Sequence, residues 1–137
     1  MTVWRITDGE GGPDSGQRAS PRYDIIEHDT ALLRVAASSS APWLQMTGEI
    51  DVSNARDLAG ALGAARVRIP GDVHVDLAGI DFVDVAGLRA FTLAARELHA
   101  RGRMLVLHSV PSHIERLFRL IGWSTTPGLQ IHCRPRT

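Results

Sequence analysis

Apolar positions in this chain fall into short runs of two kinds, separated by polar and Gly/Pro-rich breaks. Trp43 to Ile50 sets Leu44, Met46 and Gly48 on alternate positions, the two-residue period of a strand. Val73 to Leu77 is a more continuous apolar run and reads as a buried strand. A turn is expected at Ala78-Gly79, with a second apolar touch from Ile80 to Val83. Asp84 stands next, and after it the period changes. Leu88, Phe91, Ala95 and Leu98 recur at the three- and four-residue spacing of one helix face. Asp favours the position before a helix because its carboxylate accepts bonds from the unpaired amides of the first turn. One acidic residue therefore ends a strand and opens a helix.

The same patterns predict the remaining elements. Tyr23 to Ala37 carries Ile25-Ile26 and Ala31 to Val35, a first strand or a hairpin, and Ser38 to Pro42 is loop chemistry. After Asp51, Ser53 or Asn54 is expected to cap a helix running to about Arg66, with Leu58, Leu62 and Ala65 on one side. Gly60 and Gly63 weaken that helix by roughly 1 kcal/mol each relative to Ala. Pro70-Gly71 is a turn, and Gly102 suits the position just past a helix end. Met104 to His108 is a short strand. Ser112 to Glu115 matches a capping box, followed by an apolar face of Ile114, Leu117, Phe118 and Ile121 that Gly122 ends. Leu129 to His132 supplies a last strand. Strand, helix, strand, helix, strand from Asp72 onward implies an α/β domain, a sheet with helices packed against it. Residues 1–22 are rich in Gly, Pro and polar residues and are expected to be a disordered tail, leaving 23–137 as the domain. Val3, Trp4 and Ile6 interrupt that tail and could add an edge strand or anchor a partner.

Composition narrows the function classes. A chain of 137 residues is one domain, large enough to bury a core without disulfides or metal. The formal net charge is zero, so nothing argues for nucleic acid. The single Cys133 cannot form an internal disulfide, and no stretch is apolar for the length of a membrane span. A cytoplasmic protein is the expectation. The six His residues include no His-x-x-x-His pair, and there is no Cys-x-x-Cys, so no metal is expected. Phosphate loops, nucleophile elbows and dinucleotide fingerprints are absent from the sequence, so neither a cofactor nor an enzymatic activity is expected.

Two motifs carry a resemblance. Asp76 to Leu88 reads DLAGIDFVDVAGL, followed by a helix, Arg101-Gly102-Arg103 and a strand, and Thr47 to Asp51 reads TGEID. Over Thr30 to Ile131 the chain resembles the STAS domain of bacterial anti-sigma factor antagonists. That resemblance implies a mixed sheet of four to five strands with helices mainly on one face. It implies a protein-interaction module that binds an anti-sigma factor with a histidine-kinase-like ATP-binding fold and so frees a sigma factor. It also implies a hydroxyl residue, phosphorylated by that partner, at the position of Val85. Here Val85 and Ala86 have no hydroxyl, and neither has Val52, at a position that carries a phosphorylatable Thr in some stressosome relatives.

The expected partner face combines Asp51, Val52, Ser53 and Asn54 with Asp81, Phe82, Asp84, Val85, Ala86, Gly87 and Arg89. Gly87 is expected to let another surface approach closely. Two other readings compete: a STAS module that senses a small ligand near the same loops, and a self-assembling scaffold. A homodimer, exchanging Val3 to Ile6, is left open.

Overall fold

The computed structural model describes residues 21–135. The tail expected over 1–22, apart from its last two residues, and the Val3 to Ile6 segment lie outside them. Six strands and three helices follow in the order β1 (Ile25–Asp29), β2 (Leu33–Ala37), β3 (Trp43–Ile50), α1 (Ala55–Arg68), β4 (Val73–Val83), α2 (Val85–His99), β5 (Leu105–Val110), α3 (Ser112–Leu120) and β6 (Leu129–Cys133). The strands lie in one sheet in chain order. β1, β2 and β3 pair antiparallel, while β3 to β6 run parallel, so the sheet is mixed.

The sheet has six strands rather than the four to five expected. The extra one arises because Tyr23 to Ala37 is a hairpin and not one strand. The Thr30 hydroxyl accepts from the Leu33 amide at 3.2 Å and closes its turn.

Alternation then decides which face meets the helices. Val35, Leu44, Met46, Val73, Val75, Leu105 and Leu107 share one buried cluster with Leu58 and Leu62 of α1, Leu88, Phe91 and Leu98 of α2, and Ile114 and Phe118 of α3. Their strand neighbours Gln45, His74, Asp76 and His108 point the other way and stay partly exposed. The helices therefore cover one face, and among the described residues none covers the other. Among the described residues no helix is long and apolar enough to cross a membrane.

Several expected details differ. Ala78-Gly79 is not a turn: β4 runs unbroken for 11 residues. Its pairing with β3 slips twice, between Gln45 and Thr47 and between Gly48 and Glu49, and each slip gives β4 one extra residue. The Asp76 carboxylate accepts from the Ala78 amide at 2.9 Å at the first of these bulges. The capping box at Ser112 does not form. The helix start falls on Pro111, whose carbonyl accepts from Ile114 and Glu115. Glu115 pairs instead with Arg119, one turn on, at 3.2 Å.

Candidate functional site

The parallel strands β3 and β4 end side by side, and the chain leaves both into helix starts. Asp51 follows β3, and Asp84 follows β4. The Asp84 amide donates to the Ile50 carbonyl at 3.0 Å, which extends the pairing by one step. The Asp84 carboxylate then does two things. Its Oδ1 accepts from the Gly87 amide at 3.1 Å, capping α2 as expected, and its Oδ2 accepts from the Val52 amide at 3.1 Å. One side chain thus fastens the loop before α1 to the first turn of α2.

The loop itself is held from inside. Asn54 is buried, and its side chain turns back rather than capping α1. Its Oδ1 accepts from the Asp51 amide, and its Nδ2 donates to the Glu49 carbonyl, both at 3.0 Å. Asp51 Oδ1 accepts from the Ser53 hydroxyl at 2.5 Å and the Ser53 amide at 2.9 Å. Those bonds from Ser53, side chain first, hold the Asp51 carboxyl below the usual range, so it stays ionised.

This frame displays apolar side chains to solvent. Val52 is 78% exposed, Val85 51% and Phe82 47%. The slips in β4 turn Ile80 inward, out of step with Val73, Val75 and Leu77, and bring Asp81 out beside Phe82. Val83 and Ile80 point inward three residues apart, so Asp81 and Phe82 both face out. Arg89 is exposed one helical turn beyond Val85, on the same side of α2. Ala86 is half-buried.

Gly87 is placed differently from the expectation. It is buried, and a Cβ there would come within 2.6 Å of Ile50 Cγ2 and 2.7 Å of Val83 Cγ1. The close approach that Gly87 permits is internal, seating α2 on the ends of β3 and β4. Gly87 and Asn54 therefore build the frame, while Asp51, Val52, Ser53, Asp81, Phe82, Asp84, Val85, Ala86 and Arg89 make up its accessible part.

Two features escaped the sequence. His113, at the start of α3, has its Nε2 3.0 Å from the Asp81 carbonyl oxygen and ties that helix to the same strand end. The bond between Val52 and Asp84 spans 32 residues. No local spacing signals either one.

A hollow of about 460 Å³ opens at the other end of the sheet, lined by Ser38 to Pro42, Arg68 to Asp72 and His74. A second, of about 380 Å³, borders Asp81 and is lined by Thr30 to Arg34, Thr47, Gly48 and Gly79. Among the described residues no group of three or more His, Cys, Asp or Glu is placed to hold a metal ion.

Comparison with known proteins agrees with the fold. The family model described as Mlab, STAS domain matches residues 33–131. Anti-sigma-B factor antagonists of Staphylococcus epidermidis and Listeria monocytogenes are each 32% identical over 79 residues, 58% of this chain and 73% and 69% of theirs. A crystal structure of an anti-sigma factor antagonist from Mycobacterium paratuberculosis is similar with a TM-score of 0.56 at 21% identity, covering 77% of this chain and 82% of that one. At that identity the likeness speaks for the fold. With the family model spanning most of its length, the chain belongs to the STAS-domain family that includes the anti-sigma factor antagonists.

Proposed function

We propose that this protein is an anti-sigma factor antagonist, a binding module and not an enzyme, and that it docks through the strand ends bearing Asp51 and Asp84. The observation that carries this reading is the exposure of Val52 and Val85 beside one another on a frame that Asp84 fastens. An apolar centre with ionised and polar groups around it is the usual build of a protein-docking patch. The partner is an anti-sigma factor with a histidine-kinase-like ATP-binding fold. Its surface meets Val52, Phe82 and Val85 with apolar groups, and it offers donors to Asp51 and Asp84. The cytoplasm is where such a partner would be met.

Val85 occupies the place where the family resemblance expects a phosphorylated hydroxyl. A phosphoester would bring close to two negative charges beside Asp84 and Asp51. Valine cannot form that ester, so docking at this face has no such off-switch.

The test is co-purification from extract of the source cell with identification of what is retained. The reading expects a protein with a histidine-kinase-like ATP-binding domain, retained by the wild type and lost with Val85→Glu, whose carboxylate would be desolvated against acidic neighbours. Equal retention by both, or no such protein in either, overturns it. A second reading, a ligand-sensing module, rests on the hollow bordering Asp81. A thermal-shift screen with nucleotides and fatty acids would favour it by a rise in the unfolding temperature.

A further inference from the structure

On the sheet face that the described helices leave open, four rings cluster across four neighbouring strands: Trp43 of β3, His74 of β4, His108 of β5 and His132 of β6. Trp43 stacks on His74 with centroids 5.1 Å apart and tilts against His108 at 4.4 Å. His132 lies nearly flat on His108, at 5.3 Å and 10°. Between the middle two, His74 Nδ1 and His108 Nε2 are 2.9 Å apart.

Two imidazole nitrogens at that distance hold one proton between them, one ring donating and the other accepting. One further proton can be accommodated. The rings exchange tautomers, and an imidazolium N–H still meets a free lone pair. A second further proton cannot, because two N–H groups would then point at each other. We propose that the stack is a proton-operated clasp across β3 to β6, closed while the His74–His108 pair carries at most one extra proton and opened when both rings are charged.

The surroundings favour the closed form. Burial, helped by the charges of His74 and His132, pushes His108 down to about 4. Burial also lowers His74, against the opposing pull of Asp72, with His132 adding a little. The other charged or ionisable groups on this face include Asp76, two residues along β4 from His74, Tyr23, which Asp76 influences, Arg134, two residues beyond His132, whose guanidinium donates to the Ala78 carbonyl, and Arg34 of β2. β3 contributes Trp43 and Gln45, which carry no charge.

The sign follows from which state binds protons first. Unfolded His takes its proton near 6.5, while the folded pair resists until lower pH, so the unfolded chain binds more protons in between. The clasp's contribution to stability is complete above about pH 6.5 and is lost as pH falls toward about 4.

The test has two arms. In the intact protein, an NMR titration follows the ring Cε1–H signals of His74, His108 and His132. The clasp predicts that His74 and His108 titrate as a coupled pair, each signal moving in two steps, both below the ordinary His range. Single independent transitions near 6.5 for both would overturn it. In the second arm, urea midpoints are compared at about pH 7 and about pH 5 for the wild type and His108→Phe, which keeps a flat ring without the ionisable nitrogens. The wild-type midpoint should fall on acidification, and that of the variant by less than half as much. Equal falls would contradict the clasp. Should the variant not fold, the titration of the intact protein decides alone. Neither arm touches Val85, so the docking reading stands or falls separately.

Discussion

Asp84 joins two parts of the chain through a single carboxylate. One oxygen caps α2 at Gly87 and the other holds the Val52 amide. Replacing a capping Asp by Ala typically costs about 1 kcal/mol, with a range reaching about 2. Asp84→Ala is therefore expected to lower stability by about 1–2 kcal/mol, read as a lower urea midpoint with an unchanged slope. The variant should also loosen Val52 relative to Val85, seen as faster amide exchange at Val52. At Gly87 the limit is space. The atoms a Cβ would meet belong to Ile50 and Val83, branched side chains that are 0% and 2% exposed and have little freedom to give way. Sequence could show that Asp84 suits a cap. It could not show that Gly87 looks inward, because the contact depends on how α2 sits on two strand ends.

Elements differ in how much of them the pattern reveals. β3 appears at its expected bounds because alternating Leu44 and Met46 both enter the core. α2 begins just after Asp84, as expected, and its buried face repeats at helical spacing. β4 was legible as apolar but not as continuous. Its two bulges arise from pairing with β3, and they are what turn Ile80 inward and Asp81 outward. Gly48 belongs to the same irregular stretch. Its φ of +113° and the Leu32 carbonyl facing it exclude a side chain. α1 offers the opposite case. Gly60 is exposed, helical, and has open space where a Cβ would go. Gly60→Ala should therefore stabilise the protein by about 0.5–1 kcal/mol by equilibrium denaturation, through the lower backbone freedom of the unfolded chain. Gly87→Ala should destabilise it by about 1–3 kcal/mol in the same assay. The segment leading into β1 can be probed by pH. Tyr23 is the one tyrosine in the chain, and burial first, then Asp76, raises its hydroxyl to about 12. Unfolded Tyr ionises near 10, so its contribution to stability is intact below about pH 10 and is lost as pH rises toward 12. Tyrosinate absorbance should show that one group titrating well above pH 10 in the folded protein. Ionisation at the ordinary value would mean that Tyr23 is not held against the sheet.

The whole molecule separates its features by place. The carboxyl ends of β3 and β4 carry the Val52–Val85 patch, the sheet face that the described helices leave open carries the ring stack, and the larger hollow opens at the opposite end of the strands. Family membership accounts for the fold, while the docking role we propose turns on one aliphatic side chain at the accessible strand end. The most direct measurement is the affinity for the proposed anti-sigma partner, once co-purified, before and after incubation with it and Mg-ATP, with the mass of the protein recorded alongside, for wild type and Val85→Ser. The wild type should gain no phosphate and bind equally tightly at both times, whereas Val85→Ser should gain one phosphate and bind more weakly. A wild type that acquires phosphate and releases its partner would contradict the account.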